Sequence, residues 1–482
     1  MNTMKPRLPL SHLPRQPALA LMLGAATVLS ACASLAPTAA DLPATPVPAA
    51  WSVPTAGGPS ATALAGWWQR FNEPTLTGLV TQALQANTSV KSAQAALLQA
   101  RAQRDVQSAS AGPSLSASGS AQRSQSGSAS GSNRFQAGFD ASWEPDVFGG
   151  NRAAVNASES DARAAETGLG DVQVSLAAEV AAGYIELRGL QTRLAIAQSN
   201  LALQTETLQI TRWRAQAGLA SSLDLEQAVA STEQTRAQIP ALQTSVTQSL
   251  HALAVLTGQA PGALQATLGA PAAIPATPPD LALAFPAETL RQRPDVRTAE
   301  HRISAALARV AAADAARYPS FRLGGSLGLS ALTLGTLTDG ASVVRSLLAS
   351  VSAPLFDGGA AQAQVRSQEA ALEQARLAYQ STVLTALKDV EDALVALRGD
   401  AERLARLQAA ATAAANAELL ARQRYQSGLI DFRTVLDTQR SLLSTQDSVA
   451  STQATLSADH VRLYKALGGG WTPDAGHDTA AR

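Results

Sequence analysis

Alternation between apolar and polar residues marks two stretches of the chain as β-strands. Over residues 135–143, Phe, Ala and Trp at odd positions alternate with Gln, Gly, Asp and Ser. Over residues 321–329, Phe, Leu and Gly alternate with Arg, Gly and Ser. Side chains of a strand point to opposite faces in turn, so each stretch predicts a strand with one apolar face. Weaker partner strands are expected near residues 115–121 and 345–353, which makes two hairpins and four strands.

Most of the remaining chain has the spacing of three and four residues that is typical of helices. Four long helices are predicted, at about residues 152–217, 222–256, 361–427 and 432–467. The longer arms, at about 65 residues, would extend roughly 100 Å each, and no compact core needs that length. An apolar stripe along the third helix predicts coiled-coil packing. Its members are Leu372, Tyr379, Val383, Ala386, Val390, Ala393, Leu397, Leu404, Leu407, Ala411 and Ala414.

The second half of the chain repeats the first. Identities recur in register at shifts of 206 and 210 positions, which indicates an internal duplication rather than shared composition. They pair Val90, Ala93, Ala100 and Pro113 with Val296, Ala299, Ala306 and Pro319, and Arg212, Arg214, Gln216, Gly218 and Leu219 with Arg422, Arg424, Gln426, Gly428 and Leu429.

Four strands cannot close a barrel within one chain. An open sheet edge is not tolerated in lipid because its backbone groups would lack hydrogen-bond partners. If the hairpins lie in a membrane, several chains must therefore combine, and three would supply twelve strands, within the range of outer-membrane barrels. The alternative is an ordinary soluble sheet, for which two hairpins about 200 residues apart are an unusual source.

The N-terminus has the layout of a bacterial secretory signal. Three basic residues precede an apolar run over residues 18–29, which is too short to span a bilayer. The run ends in Leu29-Ser30-Ala31-Cys32, a lipobox-like sequence that predicts acylation of Cys32, the only cysteine of the chain. The alternative is an ordinary signal with an incidental cysteine. The residue after the cysteine is Ala33 rather than an aspartate, which by resemblance to bacterial lipoproteins favours delivery to the outer membrane.

Composition and charge argue against several classes of function. The net charge is zero and no Lys/Arg cluster is visible, so no nucleic-acid partner is expected. Only 4% of the 482 residues are aromatic, which disfavours a thick globular core. The five histidines do not pair at metal-ligand spacing, and no nucleophile–base arrangement stands out. We expect no enzyme, no metal and no cofactor beyond the covalent lipid on Cys32.

Three motifs complete the sequence evidence. They are Trp67-Trp68 with Phe71 and Pro74-Thr75-Leu76, then Trp143-Glu144-Pro145-Asp146-Val147-Phe148-Gly149-Gly150, and Leu290-Arg291-Gln292-Arg293-Pro294-Asp295-Val296-Arg297 with Ala299-Glu300. Together they resemble the TolC-like outer membrane efflux factors, in particular the lipidated NodT-type branch. The resemblance covers nearly all of the chain after Cys32.

The resemblance implies a homotrimer in the bacterial outer membrane. The expected fold is mainly helical: a 12-stranded β-barrel, four strands per chain, continued by a helical barrel in the periplasm. The implied function is the passive exit duct of a tripartite pump, with a periplasmic adaptor protein and an inner-membrane transporter, expected to be of the resistance-nodulation-division type. The alternative is a coiled-coil envelope lipoprotein without a lumen.

The resemblance also implies functional residues at the helix turns. Tyr425 and Asp437 fall on positions of the family's periplasmic gate, whereas Ile430 and Thr434 replace an Arg and an Asp of that pattern. Three symmetry-related Asp437 carboxylates would repel one another, although an ordinary solvated residue is the alternative. Nearby charges that would substitute in the gate are Arg424, Asp431 and Arg433; the turns where the adaptor docks hold Gly218, Leu219, Gly428 and Leu429.

The predicted organisation follows from these elements. It comprises a signal peptide (1–31), an acylated tether (32–66), helices (67–112), a membrane hairpin (113–145), a long helical hairpin (146–258), an extended Pro-rich crossover (259–286), helices (287–318), a second membrane hairpin (319–355), a second helical hairpin (356–467) and a flexible tail (468–482).

Overall fold

The structure is a computed structural model that describes residues 43, 46–52, 64–128, 130–277 and 286–472, without the side chains of 287–289. Cys32, the predicted signal peptide and most of the predicted tether lie outside these residues. The described chain forms two compact units. The first contains residues 103–160 and 303–374, and the second contains the described residues of 42–102, 161–302 and 375–482.

The first unit contains one antiparallel sheet of four strands in the order β1-β2-β3-β4, which confirms the predicted strand number. The strands are β1 (Ser114–Ser124), β2 (Ser132–Trp143), β3 (Ser320–Ala331) and β4 (Val343–Ser352). The two halves of the duplication meet where β2 pairs with β3, with Trp143 opposite Leu323. In the outer pairs, Leu115 stands opposite Ala141 and Phe321 opposite Val351. Apolar residues therefore share one face of the sheet.

That apolar face is open. Leu115, Phe139, Leu327 and Leu347 are all more than half exposed, and Leu347 reaches 90%. A large exposed apolar patch on a monomer marks contact with a membrane or another protein. Strands β1 and β4 form the edges of the sheet, and neither has a second strand partner in the described chain.

The helices show the duplication directly. The long helices are α3 (Gly150–Gln216) and α8 (Ala360–Gln426), each of 67 residues, and α4 (Ser222–Leu256) and α9 (Phe432–Ala466), each of 35 residues. Every member of the predicted stripe on α8 is buried or half-buried. Among the described helices none is long and apolar enough to cross a membrane. The shorter helices, numbered with these in chain order, are α1 (Pro74–Ala86), α2 (Thr88–Ser110), α5 (Gln265–Leu268), α6 (Pro286–Gln292) and α7 (Pro294–Ala315).

The motifs of the first and third family signatures build the core of the second unit. Trp67 is fully buried and stacks on Tyr464 of α9 at a ring-centroid distance of 5.2 Å. Arg293 donates from Nη1 to the carbonyl oxygen of Ala466 at 2.7 Å, which satisfies a free carbonyl at the end of α9. Its guanidinium also pairs with Asp295 at 2.7 Å. These signature residues are therefore structural.

Two predicted segments need correction. The crossover is not wholly extended, because it contains α5, and helix begins again at Pro286, its last residue. The tail is not flexible at its start: Gly468 and Gly469 are buried, and a Cβ on Gly469 would lie 2.9 Å from Trp67 Cδ1. The reason is that a residue without a side chain lets the chain pass directly over the indole ring.

A buried carboxyl group joins α8 and α9 in the second unit. Asp459 is 0% exposed, forms an ion pair with Arg462 and lies near Asp400 of α8. Burial raises the pKa of Asp459 from 3.8 to about 6; the charge of Arg462 opposes this shift, and the nearby Asp400 adds to it. Since the folded protein holds this proton more tightly than the unfolded chain, stability is fully present below the unfolded pKa and is lost as pH rises through about 6.

We therefore expect this group to lower the apparent melting temperature by about 1–2 °C between pH 5 and pH 7. Asp459→Asn should remove most of this dependence because the amide does not titrate. Thermal unfolding followed by circular dichroism measures both, with the half-exposed Asp447→Asn as a matched control. An equal pH dependence in wild type and Asp459→Asn would contradict the assignment.

Candidate functional site

The candidate site lies in the second unit, at the two turns that end α3 and α8. Gly218 and Gly428 adopt φ of +74° and +73°, the left-handed region that favours glycine. Leu219 N donates to Arg214 O at 2.7 Å and Leu429 N to Arg424 O at 2.8 Å, so both turns are Schellman caps. Each glycine is therefore required by the turn itself.

The leucines that follow these glycines are exposed, at 70% for Leu219 and 74% for Leu429. In a Schellman cap the residue at this position often packs on the third-last residue of the helix, which here is an arginine in both turns. The two leucines therefore remain available for contact with another protein. Trp213, 61% exposed on the last turn of α3, adds to this apolar surface and was missed by the sequence analysis.

Tyr425 joins the ends of α3 and α8. Its side chain is 3% exposed, and its hydroxyl lies 3.2 Å from the Thr211 hydroxyl of α3. Arg214 of α3 donates from Nη1 to Tyr425 O at 2.6 Å, and its guanidinium carbon lies 4.7 Å from the centre of the Tyr425 ring. Phe432 packs edge-on against the other side of the ring at 5.9 Å. The sequence analysis did not single out Arg214 or Thr211.

Asp431 serves the local turn rather than a cross-helix bond. It is the N-cap of α9, and its Oδ1 accepts from Thr434 N at 3.0 Å and Thr434 Oγ1 at 2.6 Å. These bonds, with the charge of Arg433, lower the pKa of the Asp431 carboxyl. In the first half the carboxylate and the hydroxyl exchange places: the hydroxyl residue Ser221 caps α4, and the carboxylate residue Asp224 stands three residues later.

The remaining gate candidates are exposed. Asp437, Arg424 and Arg433 all face solvent, and in the described part of the chain their side chains form no hydrogen bond or close ion pair. They are therefore not brought together with Tyr425 within one chain. Ile430 packs against the small apolar cluster around Tyr425 and Phe432. An apolar residue thus occupies the position where the family pattern has an arginine.

A second set of cross-helix contacts extends from the site along α3 and α9. Arg193 pairs with Asp447, Asn200 with Gln446, and Thr207 with Gln439. With Arg214, the α3 residues recur every seven positions, a spacing visible in the sequence that the analysis above overlooked. Within the described residues no three His, Cys, Asp or Glu side chains gather to hold a metal ion.

The open sheet and the long helices of the chain together indicate its class. One sheet carries an exposed apolar face and unpaired edges, and the same chain holds paired helices far longer than a globular core needs. Strands that face lipid must be closed by other strands, since free edges are not tolerated there. These features are those of the channel proteins of the bacterial outer membrane.

Comparison with known proteins supports the assignment to the outer-membrane channels. The family model for the outer membrane efflux protein matches residues 79–259 and 285–469, one segment in each half of the duplication. The outer membrane protein OprJ of Pseudomonas aeruginosa is 34% identical over 455 residues, 92% of this chain and 94% of that protein. Nodulation protein T of Rhizobium leguminosarum bv. trifolii is 29% identical over 438 residues, 90% and 94% of the two chains. A solved structure of the outer-membrane channel OprN is 35% identical with a TM-score of 0.82, and the match covers 90% of this chain and 100% of that one.

The chain belongs to the outer membrane efflux protein family. It is the outer-membrane channel of a tripartite efflux pump and not an enzyme. The predicted fold class, family and outer-membrane location are thereby confirmed. A spacer lipoprotein without a lumen is not supported, because it would have no use for the exposed apolar face of the sheet.

Proposed function

We propose that three copies of the chain close a single duct. The observation that carries this is the open four-stranded sheet, whose edges β1 and β4 are unpaired. Pairing β4 of one copy with β1 of the next removes every edge, and three copies make twelve strands. The even, antiparallel order of the strands is compatible with such closure.

An exposed aromatic residue supports contact between copies. In the first half of the duplication, Phe148 stacks on Tyr318 at 5.0 Å and lies 6.4 Å from Phe321 of the second half. The corresponding stretch of the second half, between Pro354 and Gly358, holds Phe356 and Leu355, which are 95% and 97% exposed. In a trimer these side chains would contact the first half of another copy, near Leu115 of its β1, which corresponds to Phe321.

The duct is pinched where the turns of the two helical hairpins lie. Tyr425 and Arg214 hold α8 on α3 within each chain, whereas the exposed Asp437 of α9 is free to face its equivalents in the other copies. Three carboxylates close together repel one another and attract cations. The gate would then combine a link within each chain with a charged ring between chains.

Single-channel conductance in a planar bilayer tests the duct and this ring together. The lipidated wild-type protein is expected to show small steps, and Asp437→Ala is expected to enlarge them about twofold or more because the charged constriction is lost. Glu226→Ala, which removes an exposed carboxylate near the start of α4, is the matched control and should behave like wild type.

The outcomes separate the two parts of the proposal. Steps of equal size in wild type and Asp437→Ala would retain the duct and remove Asp437 from the gate. An absence of steps in every protein would overturn the duct itself.

The pump also needs an anchor and partners. An acyl chain on Cys32, after removal of residues 1–31, would hold the chain at the outer membrane, with residues 32–66 as its tether. The periplasmic adaptor would dock on the turns at Gly218 and Gly428, where Leu219, Leu429 and Trp213 present apolar surface. The inner-membrane transporter would be of the resistance-nodulation-division type, by the resemblance alone, and would supply the energy.

A further inference from the structure

A polar seam joins α3 to α9 in the second unit, formed by Arg193, Asn200 and Thr207. Arg193 donates to both carboxylate oxygens of Asp447, at 2.7 and 3.1 Å. Asn200 Nδ2 donates to Gln446 Oε1 at 2.8 Å, and Gln439 Nε2 donates to Thr207 Oγ1 at 2.8 Å. The seven-residue spacing of the α3 members places them on one stripe of the helix, facing α9.

The Thr207–Gln439 bond of the seam is removed from water, and the Asn200–Gln446 bond is partly so. Asn200, Thr207 and Gln439 are each only 2–3% exposed, whereas Gln446 is half-buried. A buried polar group that loses its partner is destabilised more than an exposed one, because no water replaces the hydrogen bond. The Arg193–Asp447 pair is about one-third exposed and so contributes less. The Thr207–Gln439 and Asn200–Gln446 bonds therefore resist separation of α3 from α9 most strongly.

The duplication shows that these polar residues are not needed for the helices to form. At the counterparts of Asn200 and Thr207, shifted by 210, α8 carries Ala410 and Ala417. At the counterpart of Gln439, α4 carries Val229. A buried polar pair in a helix seam typically specifies partner and register at some cost in stability. Its presence in one half alone indicates a role particular to the contact of α3 with α9.

The seam ends before the turns. Beyond Thr207, Thr211 and Arg214 bond to Tyr425 of α8 and not to α9. In the described part of the chain, Thr207–Gln439 is thus the last side-chain hydrogen bond between α3 and α9. The end of α3 and the start of α9 near Phe432 are instead held through Tyr425 and the small apolar cluster around it, so beyond Thr207 the two helices have no direct polar link among the described side chains.

We propose that the seam is a latch that keeps α3 on α9 while the duct opens, so that opening is confined to the helix ends beyond Thr207. This rests on the proposed duct and its constriction at the turns. The seam residues are positioning residues, since they act through the helices they join.

A first test gives the seam the composition of its counterpart. The variant Asn200→Ala/Thr207→Ala/Gln439→Val should fold and assemble, because Ala and Val occupy the equivalent positions of α8 and α4. Its resting single-channel conductance is expected to rise about twofold or more, since the helix ends gain freedom over a greater length. Thr205→Ala, on the exposed face of α3, is the matched control. A folded triple variant with wild-type conductance would overturn the latch.

A second test uses one protein in two redox states. Thr207→Cys/Gln439→Cys, joined by a short thiol-specific cross-linker that contains a reducible bond, is expected to conduct like wild type when the link is intact, and like the relaxed triple variant when it is reduced. Equal conductance in both states would contradict the latch whether or not the triple variant folds. An absence of steps in wild type as well would overturn the duct and the latch together, which distinguishes that failure from failure of the latch alone.

Discussion

Arg214→Ala is expected to raise the open probability of the channel in a planar bilayer by about tenfold. The substitution removes the 2.6 Å hydrogen bond to Tyr425 O and the cation–π contact with the Tyr425 ring. Two such contacts contribute roughly 1–3 kcal/mol together, which is a factor of ten or so in a two-state equilibrium. The end of α3 would then separate from the end of α8 more often.

Arg212→Ala is the matched control for this prediction. Arg212 lies two residues away on the same helix, with its side-chain hydrogen bond made to Gln209 of α3 itself. Arg212→Ala therefore removes one positive charge from the helix end, as Arg214→Ala does, but leaves the contacts of Tyr425 intact. An open probability that rises equally in Arg212→Ala and Arg214→Ala would show that charge, and not the link to Tyr425, sets the resting state.

Cross-linking of Gly119→Cys with Val351→Cys should convert most of the protein into covalent trimers on a denaturing gel. Leu115 and Phe321 correspond in the duplication, so their hairpin partners Ala141 and Val351 correspond as well. Because Ala141 stands opposite Gly325 on β3, and Gly325 corresponds to Gly119, Val351 of one copy should stand opposite Gly119 of the next. A short bismaleimide across a β-ladder would join such a pair.

The register of the two edges has its own control. In Ser118→Cys/Val351→Cys the cysteines would lie on opposite faces of the sheet, so trimers should be much reduced. Each single-cysteine variant should run as a monomer on the denaturing gel, because it lacks the second cysteine of the pair and the chain has no other cysteine than Cys32. If the Gly119→Cys/Val351→Cys variant conducts but still runs as a monomer on the denaturing gel after cross-linking, the copies meet by another edge or in another register.

Local pattern was sufficient for the elements of this fold. The alternation at residues 135–143 and 321–329 requires strands because a period of two places one kind of residue on each face. The heptad stripe through Val383, Val390 and Leu397 requires a helix buried along one side. Gly218 and Gly428 mark the turns because a left-handed residue there is best tolerated as glycine.

Pairing between distant segments was beyond the reach of local pattern. The seven-residue spacing from Arg193 to Thr207 was present in the sequence, but it does not say whether the stripe faces solvent, α8 or α9. Asp431 was expected among the gate charges and instead caps α9, because a short polar side chain at a helix start bonds the free backbone N–H groups beside it. The site residues that matter for packing are those whose partners lie more than 200 positions away.

By itself, the sequence determined the helices, the strands, the turns and the duplication of this channel, because each follows from residue spacing within a few turns of chain. Only the tertiary structure decided that Arg214 and Thr211 hold Tyr425, that Thr207 meets Gln439, and that Asp459 is buried beside Asp400. Those contacts depend on how each helix is rotated and shifted against its neighbour. Many rotations satisfy the same apolar stripe, and the complete packing of the second unit selects one of them.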